Sequence, residues 1–103
     1  MTRVIRLKDG IEIRGHANYG KHGKDIVCSA VSVLVQTLIA SVEELTEDRI
    51  DKDVQPGKVD IKFWCLSDQS KVLIDAFFIG VKGVAQAYPD YVKVIDMTEP
   101  SSR

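Results

Sequence analysis

Apolar and polar residues alternate from Ile11 to His16, with Ile11 and Ile13 on one side and Glu12 and Arg14 on the other. A β-prone run, Arg3 to Leu7, precedes it across Lys8-Asp9-Gly10, and the Asp-Gly turn signal predicts a hairpin. Asn18 to Lys24 holds two glycines and no apolar side chain but Tyr19, which reads as a loop. At Asp25 the period lengthens. Val27, Val31, Leu34, Leu38, Val42 and Leu45 recur at helical steps, and Ile26, Ala30, Val35 and Ile39 widen the stripe. This predicts a helix from Asp25, a good N-cap, to about Glu47.

TEDRIDKD then reads as a polar linker closed by the turn signal Pro56-Gly57. Lys58 to Leu66 alternates again, with Val59, Ile61, Phe63 and Cys65 sharing one face. Ser67 can cap a second helix with the stripe Leu73, Phe77, Gly80, Val84 and Tyr88, which Pro89 stops. Gly80 and Gly83 each cost a helix about 1 kcal/mol against alanine, so close packing is expected at both. Tyr91 to Ile95 is the last strand. The predicted order is ββαβαβ, an α/β (α+β) fold in two layers: a four-stranded mixed sheet under two long helices. Residues 1–97 are expected to form a single domain and 98–103 a polar tail.

The 103 residues, 45% hydrophobic and 28% charged, suit one globular domain. A formal net charge of -1 supplies no field for nucleic acid or an anionic membrane. Two cysteines, Cys28 and Cys65, are too few for a disulfide framework. Charges interrupt MTRVIRLKDG, unlike a signal peptide's apolar centre, and no unbroken apolar run reaches the ~20 residues of a membrane span. The expectation is a cytoplasmic protein with free thiols and no membrane partner.

Candidate chemistry gathers around the loop. Cys28 lies in the first turn of the expected helix, where unpaired N–H groups and the macrodipole favour a thiolate. His16, at the loop's other root, could act as general acid or base. Strict alternation turns His16 toward the Glu12 and Arg14 face unless Gly15 breaks the pattern. His22, in mid-loop, is a second candidate base. Against these stand simpler readings, a core cysteine and a solvated histidine. Cys65 reads as a structural core residue. Two His and two Cys at these spacings match no zinc pattern, so no metal or other cofactor is expected. Gly20-Lys21-His22-Gly23 has the GxxG form of a nucleic-acid clamp but follows a strand and lacks an aromatic platform. Gly23-Lys24 is followed by Asp25, not the Ser or Thr of a phosphate loop.

Gly15-His16-Ala17, a glycine-bearing loop, then Asp25-Ile26-Val27-Cys28 and Ser29-Ala30-Val31-Ser32 resemble the ribosomal-processing cysteine protease family (Prp, or YsxB-like). The resemblance implies a cytoplasmic bacterial peptidase, usually homodimeric. It removes the N-terminal leader of a large-subunit ribosomal protein, the twenty-seventh, after a pair of aromatic residues. Some bacteriophages use the same activity on capsid and scaffold proteins. Carried over, Cys28 is the nucleophile, His16 the general base or acid, and Asp25 a third polar group that caps or orients. Gly15 and Ser32 match the motif as structural or substrate-contacting positions, and Gly20 and Gly23 are expected loop hinges. Ser29 stands where many members of the family have alanine and Val31 where many have a second small residue, which bears on leader preference. The N–H groups of Val27 and Cys28 are the expected oxyanion donors. The exposed apolar positions of the first helix suggest a dimer seam. A non-catalytic peptide-binding module and a thiol redox sensor stay open beside the protease.

Overall fold

The computed structural model describes residues 1–21 and 25–98; His22, Gly23 and the tail beyond Thr98 lie outside the described residues. The elements are β1 (Thr2–Leu7), β2 (Gly10–Arg14), α1 (Ile26–Leu45), β3 (Ile50–Gln55), β4 (Lys58–Phe63), α2 (Asp68–Ala87) and β5 (Val92–Asp96). The sheet has five strands in the order β3-β4-β2-β1-β5. Among the described residues β1 and β5 pair parallel and the other neighbours antiparallel. The mixed two-layer α+β expectation therefore holds, with one strand more than the four expected.

The added strand is β3, which occupies the supposed linker. Its residues are exposed except for half-buried Ile50, and Asp51, Lys52 and Asp53 interrupt any apolar rhythm. Such charges keep an unpaired sheet edge from joining other chains, so an edge strand written this way looks like linker.

Both helices cover one face of the sheet. Val27, Val31, Val35, Leu38, Ile39 and Val42 of α1 meet Val4, Ile11, Ile13, Ile61 and Phe63 of the strands. Helix α1 is long and apolar enough to cross a membrane by length and composition, yet this stripe is spent on the core. The buried side of α2 is Ser70, Ile74, Phe77, Phe78 and Val81. It is turned from the expected stripe, of which Leu73, Val84 and Tyr88 are only partly buried at its margin. A Cβ on Gly80 would come within 2.9 Å of Leu34 Cδ2, so this glycine lets α1 and α2 approach closely. Around Gly83 a Cβ would meet nothing within 4 Å, and packing does not explain that glycine.

Cys65 is exposed, contrary to its expected core position. Strand β4 ends at Phe63, and the chain turns through a left-handed residue at Cys65 (φ 55°), which ends the alternation two residues early.

Candidate functional site

The site begins where β2 stops. Gly15 has φ +87°, a region that side chains resist, and a Cβ there would lie 2.4 Å from the Met1 carbonyl oxygen. Only glycine fits both the backbone and the space. Its N–H donates to the Gly57 carbonyl at 2.9 Å, which ties the strand end to the β3–β4 turn. This left-handed residue breaks the alternation of β2, so His16 is released from the Glu12 and Arg14 face. Ala17 follows, 2% exposed, and its N–H points at the Cys28 sulfur, 3.3 Å away.

Cys28 sits half-buried in the first turn of α1, three residues after the N-cap Asp25. The Asp25 carboxylate is 6% exposed and accepts four backbone N–H groups. One oxygen takes those of Val27 (2.9 Å) and Cys28 (3.0 Å). The other takes those of Tyr19 (2.8 Å) and Gly20 (3.3 Å). A single side chain thus caps the helix and fastens the start of the loop to it. Burial opposes ionisation of this carboxyl more than any other single influence. The N–H groups of Cys28, Gly20 and Tyr19, with the Cys28 thiol, together outweigh burial and hold its pKa below the usual value.

These bonds correct one expectation. The N–H groups of Val27 and Cys28 already bond the Asp25 carboxylate, so they are not open donors for an oxyanion. The N–H that faces the sulfur belongs to Ala17. Asp25 orients backbone on both sides of the loop, and among the described residues it makes no hydrogen bond with His16.

His16 and Cys28 line the same two hollows. One, of about 460 Å³, runs between α1 and the β3–β4 hairpin, with Val31, Val35 and Ile39 facing Val54, Pro56 and Val59. Gly15 and Ser32 also line it. The other lies under the loop root and adds Asn18, Gly20, Asp25 and Ser29, with Ser32 shared between both. A larger cavity, about 640 Å³, lies at the opposite end of β2 around Leu7, Gly10 and Trp64 and touches neither residue. Chemistry, not size, points to the site: these two smaller hollows bring a thiol and an imidazole onto one lining.

Sequence reading overlooked two parts of this site. Pro56 and Gly57 were read only as a turn, because the strand leading into them was unrecognised. Tyr19 packs edge-on against Tyr88 (5.2 Å between centroids) and Tyr91 (5.0 Å), joining the loop to the end of α2. Tyr19 lies far along the chain from Tyr88 and Tyr91, so the sequence gives no local signal of that contact.

A helix-start cysteine and a strand-end histidine opening on one cleft, in a two-layer α+β fold, match the expectation of a small cysteine protease. Comparison with known proteins narrows it. The family model for cysteine protease Prp matches residues 3–93, and the chain belongs to this family. The ribosomal processing cysteine protease Prp of Mycoplasma genitalium is 24% identical over 98 residues, covering 91% of this chain and 94% of that protein. A crystal structure of the essential ribosomal processing protease Prp from S. aureus, with a covalently linked product peptide, superposes with a TM-score of 0.84. Identity there is 18%, over 92% of this chain and 96% of the other. The same S. aureus protein with a substrate peptide gives a TM-score of 0.78 at 17% identity, with the same coverage.

Proposed function

We propose that this protease removes the N-terminal leader of a ribosomal protein, the twenty-seventh of the large subunit, through a Cys28–His16 pair in the cytoplasm. The observation that carries the reading is that His16 and Cys28 line one cleft while the Ala17 N–H faces the Cys28 sulfur at 3.3 Å. The peptide complexes of the S. aureus relative support a peptide substrate, and the apolar run of Val31, Val35 and Ile39 beside the pair suits large apolar side chains.

In this mechanism His16 takes the Cys28 thiol proton, the sulfur attacks the scissile carbonyl carbon, and the carbonyl π electrons move to oxygen. The Ala17 N–H, which supports the sulfur anion beforehand, is next to the forming oxyanion and shifts to it. The tetrahedral intermediate collapses, the C–N bond breaks, and His16 delivers its proton to the leaving amine. His16 then takes a proton from water as its oxygen attacks the thioester carbon; the C–S bond breaks, the leader is released, and His16 returns the proton to the Cys28 sulfur. Asp25 keeps the Ala17 to Gly20 segment against the helix start throughout. Gly15 permits the strand-end turn, and Ser32, one helical turn beyond Cys28, is a substrate contact. Gly20 acts as a hinge of the loop.

The enzyme works as a homodimer in this proposal. Ile26 and Val33 of α1 and Val72 and Ile79 of α2 leave apolar surface exposed on the outer helical face, and sedimentation would report the pairing.

Incubation with a leader-bearing ribosomal-protein peptide, read by mass spectrometry, tests the activity. Cleavage after the leader by the parent, absent in Cys28→Ala, cut to a small residual rate in His16→Ala and retained in His22→Ala, is the expected result. Binding without cleavage would overturn the protease in favour of a peptide-binding module. Cleavage of a capsid or scaffold peptide alone would replace the ribosomal substrate with a viral one.

A further inference from the structure

The β3–β4 turn does more than join two strands. Gly57 has φ +71°, and a Cβ built on it would lie 2.8 Å from His16 Nε2 and 3.4 Å from both Cδ2 and Cε1 of the same ring. The imidazole therefore rests its Nε2 end on the one turn residue that has no side chain. The Gly57 carbonyl also receives the Gly15 N–H at 2.9 Å, so one residue holds both the backbone before His16 and the ring itself. Gly57 and Pro56 line the same cleft as Cys28.

We propose that Gly57 is a positioning residue, which seats the His16 imidazole beside Cys28 by leaving space for the ring and bracing it. The inference rests on His16 being the acid–base partner proposed above. Histidine on an exposed strand end can occupy several staggered rotamers, and acid–base catalysis needs one of them held to within about half an ångström. A methyl group at Gly57 would force either the ring or the turn to move. Since the turn is fastened to Gly15, the ring is the part that gives.

The test is a double-mutant cycle on the full chain, in a Cys65→Ser background so that Cys28 is the only thiol. Gly57→Ala adds the Cβ to a backbone that resists it. Gly57→Asn adds the same Cβ with a residue that tolerates left-handed φ, which separates ring displacement from backbone strain. Leader-peptide cleavage is measured with the rate of Cys28 alkylation by iodoacetamide and the thermal midpoint. Both variants should lose about tenfold or more in kcat with KM within about threefold, and Cys28 alkylation should change in the direction that His16→Ala changes it. In the His16→Ala background, Gly57→Asn should cost no further activity.

Full kcat in Gly57→Asn would overturn the proposal, as would an equal loss of activity with and without His16, the mark of a purely structural role. If Gly57→Asn fails to fold, the same comparison made with Gly57→Ala decides between these outcomes. Should His16→Ala itself leave cleavage and alkylation unchanged, the acid–base reading fails, and that result is distinct from an inert Gly57.

Discussion

Helix α1 has an aspartate at each end, and the two do similar work with different partners. At its start, Asp25 gathers four backbone N–H groups with both carboxylate oxygens. Beyond its end, Asp48 uses one oxygen to accept the Ser67 N–H (2.9 Å), the Ser67 hydroxyl (2.6 Å) and the hydroxyl of fully buried Ser70. That second cluster fastens the end of α1 to the start of α2. The first fastens a loop to the helix that carries Cys28. A carboxylate hub is therefore a general way to lock chain segments together, and its meaning comes from the group beside it.

Replacing each aspartate by asparagine should separate the two most sharply. Asparagine caps helices as well as aspartate, so in Asp25→Asn one oxygen can still serve Val27 and Cys28. Its NH₂ must then face the N–H groups of Tyr19 and Gly20, which are donors and cannot reverse. The loop should detach while the helix stays capped. The expected result is a fall in leader cleavage on the order of 100-fold with a smaller drop in thermal midpoint. In Asp48→Asn the amide oxygen can take over all three bonds, so activity should stay within about threefold of the parent. Equal activity losses in the two variants would erase the distinction.

Acid should weaken both hubs. Burial of Asp25 is outweighed by its N–H partners, and the Ser67 and Ser70 hydroxyls with the Ser67 N–H hold Asp48 low. A carboxyl whose pKa is depressed in the folded protein adds stability above its unfolded value, about pH 4, and loses it as pH falls through the folded pKa. Parent protein should thus lose thermal stability steadily below about pH 4. Asp48→Asn should start lower at neutral pH and lose less on acidification, which a series of melts would record.

The tyrosine contacts offer a gentler way to loosen the loop. Tyr19 is 43% exposed, yet its ring meets Tyr88 and Tyr91 edge-on. Such pairs contribute roughly 0.5–1.5 kcal/mol each beyond burial. Tyr19→Ala should raise KM about three- to tenfold, the range one such contact spans, with a smaller effect on kcat. Tyr19→Phe keeps both ring contacts and should leave KM near the parent's. A loss in Phe as large as in Ala would assign the effect to the hydroxyl.

How far these features could be read beforehand follows from how local they are. Cys28 in the first turn of α1 and Asp25 as its cap were legible because helix starts carry their signals within four residues. The core stripe of α1 was legible for the same reason. His16 could be named, but its turn into the cleft depends on Gly15 lying against the Met1 carbonyl, a contact between strands. Strand β3 was hidden because an edge strand buries almost nothing, and with it went the wall that Gly57 makes. The second pair of bonds to Asp25 was invisible because the donors are backbone, which no residue type announces.

The smallest expected effect comes from the far hub without touching its carboxylate. Thr46 donates its hydroxyl to the Val42 carbonyl at 2.8 Å, accepts the Asp48 N–H at 3.1 Å, and lies 3.2 Å from the Ser70 hydroxyl. Its own N–H also closes α1 on Val42, and that bond survives any side-chain change. Thr46→Ala should therefore cost about 1 kcal/mol, the net worth of an ordinary hydrogen bond, because Asp48 keeps Ser67 and Ser70 joined. Denaturant unfolding measures that loss, and leader cleavage should be unchanged. Reduced cleavage in a stably folded Thr46→Ala would mean that the end of α1 communicates with Cys28 at its start, and the two hubs would then have to be treated as one coupled unit.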